Sequence, residues 1–543
     1  VNMVILIMSK KKDKKVLKMA LANKGLIVDY EEIKKAMGIK KLKKLYDQLT
    51  LEKKIFIGRD RTQLLVTKLY KIVTIPSKNG VRKLLTLPRF FEDWIDDDLM
   101  PPYEIRTVFS KEIKKLSPEK FINGNDEIGI KHTGKYWYQQ PMSDYMIDEI
   151  FQPNTKGHIY NRGCTFVLDT GRGKTYLGGG LIRRLGVKTL IIAHNERGLE
   201  EWRKMLMCYP EINIGYYYGK KKQDGDVVIM LINSAMRDNF AFRTGRGKTA
   251  KITTISRDKY FRQFGFVIYD EVPDYVAEQR RKVFWETNFK YCLGLTATPD
   301  EHLKDLDPVY KMHLGDLLHA EDVPGINFED IQWDFTVRTV NYYGPPDYTK
   351  QIKSETTDMT IAARMDKQFA KDPYRNRMVL DMIKEYYDAG KYIFIFAGVR
   401  EILDNLEELI KKHLGLDPIK KASDKDKVKG IKGGASSDEV AKAVEKSRII
   451  LTTYQYGGKG LSIVKMDCGI AYTPRRNGMK QVTGRITRMG GDPTLPRVWV
   501  DFRDMETNSK TQYNTRKKAY DDKGFEITNE DISFKKLKPI KYK

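Results

Sequence analysis

Thr170-Gly171-Arg172-Gly173-Lys174-Thr175 sets two glycines, a lysine and a hydroxyl between the apolar run CTFVLD and the segment YLGGGLIRRLG. Those residue types at that spacing can bind phosphate. Glycines let backbone N–H groups turn inward around the anion, and the N-terminus of a following helix adds partial positive charge. Lys174 can then reach the outer phosphates of a nucleotide, and the Thr175 hydroxyl can ligate magnesium. The long form of such a loop, G-x-x-x-x-G-K-[ST], is not met, because Leu168 stands where its first glycine belongs; the shorter G-x-G-K-T form is met. A second GRGKT at 245–249 has no apolar run before it and no apolar helix after it. Context, not the string, selects the first copy, whose bland alternative is a glycine-rich strand-to-helix turn.

A second constellation lies downstream, where FGFVIYD ends in Asp270-Glu271. Carboxylates at the C-terminal end of a buried parallel strand sit where open α/β sheets bind ligands. There Asp270 can hold magnesium through water, and Glu271 can polarise a water for in-line attack on a terminal phosphate. An acidic turn after a strand is common by itself, and much less so downstream of a phosphate loop.

These residues need strands to carry them. CTFVLD, KTLIIA, DVVIMLI, FGFVIYD and KYCLGLT are short apolar runs ending in polar or glycine-rich loops, as parallel strands buried on both faces do. A second alternating block holds KYIFIFAGV, RIILTTY, DCGIAY and RVWVDF. The pattern predicts two α/β lobes in tandem, at 135–345 and 346–510, with RDNFAFRTGRGKTAKITTISRDKY as an exposed basic insertion in the first. Upstream, KVLKMALANKG, DYEEIKKAMG and KLKKLYDQLTLEKK predict three helices before a strand pair. That order suits a winged helix-turn-helix or a small helical cap over 1–100, with 101–134 as a linker and 511–543 as a basic tail.

The chain has 543 residues and a formal net charge of +26, an excess that calls for a polyanionic partner, nucleic acid or an anionic membrane surface. VNMVILIM is too short to span a bilayer, so no membrane association is expected. Cys164, Cys208, Cys292 and Cys468 show no C-x-x-C spacing, which argues against a disulfide framework or zinc site and for a soluble protein of a reducing, intracellular compartment. Trp137 and Trp202 are candidates for base stacking, although a tryptophan in an amphipathic segment is more often core, and His194 is either a phosphate contact or a polar loop residue with no such contact.

In order along the chain, these features resemble the superfamily 2 helicases, over roughly residues 135–505. Lys135-Tyr136-Trp137-Tyr138-Gln139 is similar to that family's adenine-reading segment, with Gln139 as the reader, and Thr296–Pro299 (TATP) to the motif that couples hydrolysis to lobe movement. Gly457-Gly458-Lys459-Gly460-Leu461 resembles the family's G-x-G-L element, which implies that Gly460 meets the nucleotide. Gln481-Val482-Thr483-Gly484-Arg485-Ile486-Thr487-Arg488 matches Q-x-x-G-R-x-x-R, which implies catalytic roles for Gln481, Arg485 and Arg488 at the γ-phosphate. DPYRNRMVLDMI before YIFIFAGVRE is similar to the transcript-release helicases of large cytoplasmic DNA viruses and to phage recombination helicases.

Three positions depart from the pattern: Pro273 replaces the histidine of DExH members, Ser462 an aspartate, and Ala193-His194-Asn195-Glu196 is a weak form of the nucleic-acid loop. The resemblance implies an α/β fold of two tandem RecA-like parallel-sheet lobes behind an N-terminal, mainly helical accessory domain. It implies an enzyme that uses ATP and Mg2+ to move along and unwind DNA or RNA, with transcription or replication proteins as candidate partners. Its rivals are a double-strand translocase that never separates strands and an ATP-gated nucleic-acid clamp. A nuclease-coupled restriction subunit has only Glu52-Lys53-Lys54 in its favour.

Overall fold

The computed structural model describes residues 16–541 apart from 57–61, 78–79, 122–135, 153–161, 170, 245–250, 300–305, 329–333, 354–361, 417–426, 432–434, 436, 459–462, 464, 477, 488–494 and 508. Thr170, Gly460, Arg488, Ser462 and the second GRGKT therefore lie outside the described residues. Contacts divide the chain into two units, the first running to Asn327 and the second from Phe328, with the short stretches 57–61 and 170–172 grouped with the second.

The first unit opens on a sheet, where helices were expected. Strands β1 (Leu17–Ala22) and β2 (Gly25–Asp29) pair antiparallel and are followed by one helix, α1 (Tyr30–Gln48). Then come β3 (Thr50–Phe56), β4 (Thr62–Lys68), β5 (Lys71–Ser77), β6 (Gly80–Leu87) and β7 (Tyr103–Thr107). The sheet order is β5-β6-β2-β1-β7, with β3 and β4 as a separate hairpin. The expected first helix is strand β1. Leu17 and Leu21 alone could share a helical face, but with Met19 they keep period two, and Gly25, at φ 102°, turns the chain into β2 rather than ending a helix. The second and third expected helices are two halves of α1, capped by Asp29 and kinked at Gly38 (φ 73°). The accessory region is thus mainly β, without winged-helix order, and the strand pair expected after the helices is β3–β4. The expected linker also fails at its start, since β7 pairs parallel with β1.

This sheet shares its core with the phosphate-loop lobe. Arg89 is fully buried; its guanidinium donates to the carbonyls of Phe289, Lys290 and Arg162. Phe90 N donates to Met312 O at 2.8 Å, and one apolar cluster joins Leu26, Leu85 and Phe91 to Phe264, Phe289 and Met312.

That lobe begins with helix α2 (Gln139–Tyr145) and β8 (Gly163–Val167). Next are α3 (Lys174–Leu185), β9 (Thr189–Ala193), α4 (Glu196–Leu206), β10 (Ile214–Tyr218), β11 (Lys221–Gln223) and β12 (Val227–Leu231). The basic insertion is a hairpin of β13 (Asn239–Thr244) and β14 (Lys251–Ser256), before β15 (Phe266–Asp270), β16 (Tyr291–Thr296) and β17 (Leu317–His319). The sheet runs β11-β10-β12-β9-β15-β16-β8-β17, parallel except for β11. β8 and β9 are buried throughout, as continuous apolar runs require.

The second unit is a parallel sheet of seven strands: β18 (Phe335–Tyr343), β19 (Ile393–Ala397), β20 (Val428–Ile431), β21 (Ile449–Thr453), β22 (Cys468–Ala471), β23 (Arg497–Asp504) and β24 (Glu526–Ser533). Their order is β20-β21-β19-β22-β23-β18-β24. Two expected boundaries move. β18, placed before 346, belongs to this sheet, and the residues read as a basic tail form helix Ser509–Asp521 and edge strand β24. Lysine content masked that core: Arg516, fully buried, pairs with Asp501 Oδ2 at 2.8 Å, which also accepts from Tyr520 Oη.

The Arg-Asn pair of DPYRNRMVLDMI is architectural in this unit. Arg375 on helix α5 (Pro373–Asp388) pairs with buried Asp504 and donates to Tyr472 O; Asn376 accepts from Tyr472 Oη and donates to Ala370 O. Arg375→Ala strands a buried carboxylate and should cost about 3–5 kcal/mol. A urea titration should show a matching fall in unfolding midpoint; an unchanged midpoint would contradict the burial.

Candidate nucleotide site

Gly171 and Gly173, at φ 85° and 87°, take the left-handed backbone that turns β8 into α3. A β-carbon on Gly173 would also crowd Gln139 Nε2, the movable end of a side chain, so the positive φ is what calls for glycine. Gln139 opens α2 and is 2% exposed, which brings the expected adenine reader directly against the phosphate loop. Lys174 and Thr175 form the first turn of α3, and Lys174 Nζ donates to Leu168 O at 2.9 Å. Leu168, the residue that replaces the long-form glycine, thereby contributes its carbonyl as a rest for the lysine.

Asp270 ends β15, two strands from β8 in the same parallel sheet, so it and the glycine loop stand at the C-terminal ends of their strands. Burial, reinforced by the charges of Glu271 and Glu201, pushes its carboxyl up to about 7, against the opposing pull of Lys174 and the Trp202 N–H. A carboxylate held this far from its ordinary range gains most from a cation. With the Thr175 hydroxyl on the loop, it is a donor set of oxygens suited to magnesium, which takes one or two carboxylates and completes its shell with phosphate and water. No group of three or more His, Cys, Asp or Glu side chains poised for a metal occurs among the described residues.

Glu271 adopts φ 56°, ψ 61°, a left-handed conformation that costs a non-glycine residue about 1–3 kcal/mol. The turn redirects the chain out of β15 into a 3-10 turn, Val272–Tyr275, with Pro273 buried in it. Tyr275 Oη donates to Ile192 O at 2.7 Å, tying that turn to β9. TATP stands at the end of β16, where Thr298 N donates to Thr296 Oγ1 and Leu168 N to Thr296 O.

The remaining candidates are placed less closely. Gln481 lies in the short helix Met479–Thr483 of the second unit, and Arg485 follows it, 6% exposed. Trp137 is half-buried with its ring edge-on to Tyr138. Trp202 is core rather than a stacking platform, as its spacing with Leu199 and Leu206 implies. What the sequence reading missed is its indole N–H, which donates to Asp270 Oδ2 at 3.2 Å. The available signal was chemical: a buried indole N–H needs an acceptor. No helix among the described residues is long and apolar enough to cross a membrane.

Residues 136–301 match the family of type III restriction enzyme res subunits, a stretch that holds the glycine loop, Asp270-Glu271 and TATP. A candidate ATP-dependent RNA helicase of African swine fever virus is 28% identical over 416 residues, covering 72% of this chain and 73% of its own. A candidate of the same description from Acanthamoeba polyphaga mimivirus is 23% identical over 465 residues, covering 80% of this chain and 82% of its own. Among solved structures, T4 UvsW aligns over 96% of this chain and 100% of its own at 15% identity and a TM-score of 0.33. Phosphate loop, strand-end carboxylates and TATP on one parallel sheet, with a second parallel sheet later in the chain, are the features in which this chain is similar to the matched family and the viral relatives, and through them resembles the superfamily 2 helicases.

Proposed function

We propose that the protein binds ATP at Gly171–Thr175, with Gln139 against the adenine, and uses its hydrolysis to move along and unwind nucleic acid. Lys174 steadies the outer phosphates. Thr175 and Asp270 would hold magnesium, which supplies neutralising charge to the phosphates. Glu271 orients and polarises the attacking water. On motif order alone, we assign Gln481, Arg485 and Arg488 to the hydrolysis step and Gly460 to nucleotide contact. The observation that carries this reading is the placement of the left-handed glycine loop, with Lys174 resting on Leu168 O, and of Asp270 at the C-terminal ends of two strands of one parallel sheet.

RNA is the favoured polymer, because both viral relatives are described as RNA helicases. Comparing ATPase stimulation by single-stranded DNA, duplex DNA and RNA tests this directly. RNA should stimulate most, and no stimulation by any polymer would overturn the reading. Lys174→Ala should weaken ATP affinity about 10–100-fold, the scale of a lost hydrogen bond to a charged group; unchanged affinity by calorimetry would remove Lys174 from the site.

A second reading, translocation without strand separation, draws on Pro273. Its side chain has no donor or acceptor where the family's histidine would have both. Forked-duplex unwinding beside triplex displacement separates the two: displacement alone selects the translocase.

A further inference from the structure

Asp270 is held from behind by a residue that no catalytic motif contains. Trp202, fully buried on α4, donates its indole Nε1–H to Asp270 Oδ2 at 3.2 Å. Its ring lies against α3, the helix that begins at Lys174; a β-carbon on Gly178 would stand 2.5 Å from Trp202 Cη2. Gly198, one turn earlier on α4, closes over the same oxygen, since a β-carbon there would stand 3.3 Å from Asp270 Oδ2. The helix itself is pinned at its start, where Asn195 Oδ1 accepts from Gly198 N at 2.8 Å. Just before it, His194 Nε2 lies 3.7 Å from Asp274 Oδ2, four residues beyond Asp270.

We propose that Trp202 is a positioning residue for Asp270. Its N–H occupies Oδ2 and fixes the carboxylate rotamer, so that Oδ1 is the oxygen left for magnesium. A tryptophan suits the task because its ring fills the space that Gly178 opens between α3 and β15, while its one polar atom reaches the carboxylate. Phenylalanine keeps most of that volume and loses only the N–H. Without it Asp270 can rotate, and part of the metal's binding free energy goes into reordering it. The segment from His194 to Trp202 thus meets Asp270 through Trp202 and the turn that follows Asp270 through His194.

The inference rests on the nucleotide reading above, and the test separates the two. ADP affinity is measured by calorimetry on the full chain, with magnesium and with magnesium chelated, for wild type, Trp202→Phe and Asp270→Asn. Wild type should bind ADP more tightly with magnesium, and Asp270→Asn should abolish that gain. Trp202→Phe should lose about tenfold of the magnesium-dependent gain, the scale of one hydrogen bond to a charged acceptor, with ADP affinity in chelator unchanged. Gly198→Ala, which crowds Oδ2 without touching the indole, should lose the gain in part. Equal losses with and without magnesium would mean Trp202 only packs, and a full gain in Trp202→Phe would end the proposal. A wild type that binds ADP with no magnesium-dependent gain would overturn the proposal at its metal premise, and one that binds no ADP in either condition would sink the nucleotide reading.

Discussion

Glu271→Gln should slow ATP turnover by about 10²–10⁴-fold, the range for loss of a positioned general base, while ATP binding persists. The substitution keeps the side chain's shape and removes only its basicity. It also keeps the left-handed backbone at φ 56°, which asparagine-like amides tolerate no worse than carboxylates. That backbone is the reason to expect a large effect: strain held at one non-glycine position on the site's edge is strain a merely structural acidic turn would have shed. Steady-state ATPase paired with equilibrium nucleotide binding is the measurement. Wild-type turnover in Glu271→Gln would dismiss the carboxylate assignment, and loss of binding would move Glu271 to the metal.

Removing residues before Pro102 should yield protein that does not fold. The sequence reading expects the opposite, a detachable accessory domain with every nucleotide motif downstream. The structure gives three physical reasons for the reversal. Strand β7 would lose its neighbour β1 and expose a bare sheet edge. The carbonyls of Phe289, Lys290 and Arg162 would lose the Arg89 guanidinium, those of Arg162 and Phe289 keeping only donors from Cys292 among the described residues. The apolar cluster shared with Phe264, Phe289 and Met312 would face water. Soluble yield and size-exclusion behaviour read the result. A monodisperse truncation with wild-type ATPase would restore the detachable domain.

The parts that were legible in the sequence are those where one residue type has one job. Gly173 could be read because phosphate loops need backbone without a β-carbon, and the runs before Gly171 and Glu271 because strands buried on both faces have no polar face to disguise them. The misread parts are those where two periods coincide. Leu17 and Leu21 sit four apart as on a helix and, with Met19, two apart as on a strand, and pairing with β2 and β7 decides for the strand. Lysine-rich stretches misled in the same way at the far end, since Arg516 and Tyr520 make the core contacts while the lysines around them face solvent. Trp202 was legible as core, but its acceptor lies 68 residues away and no local pattern could name it.

Strand β18 is the first strand of its sheet to be synthesised, yet its two neighbours, β23 and β24, are the last. Arg497 comes after Tyr343 by roughly 150 residues, which at about 5–20 residues per second leaves β18 without either partner for about 8–30 s. Throughout that interval FTVRTVNYY is an unpaired strand of high β-propensity on a nascent chain. The second unit can complete its sheet only once β24 has left the ribosome, so a stop codon placed after β23 but before β24 leaves β18 with one permanently open edge.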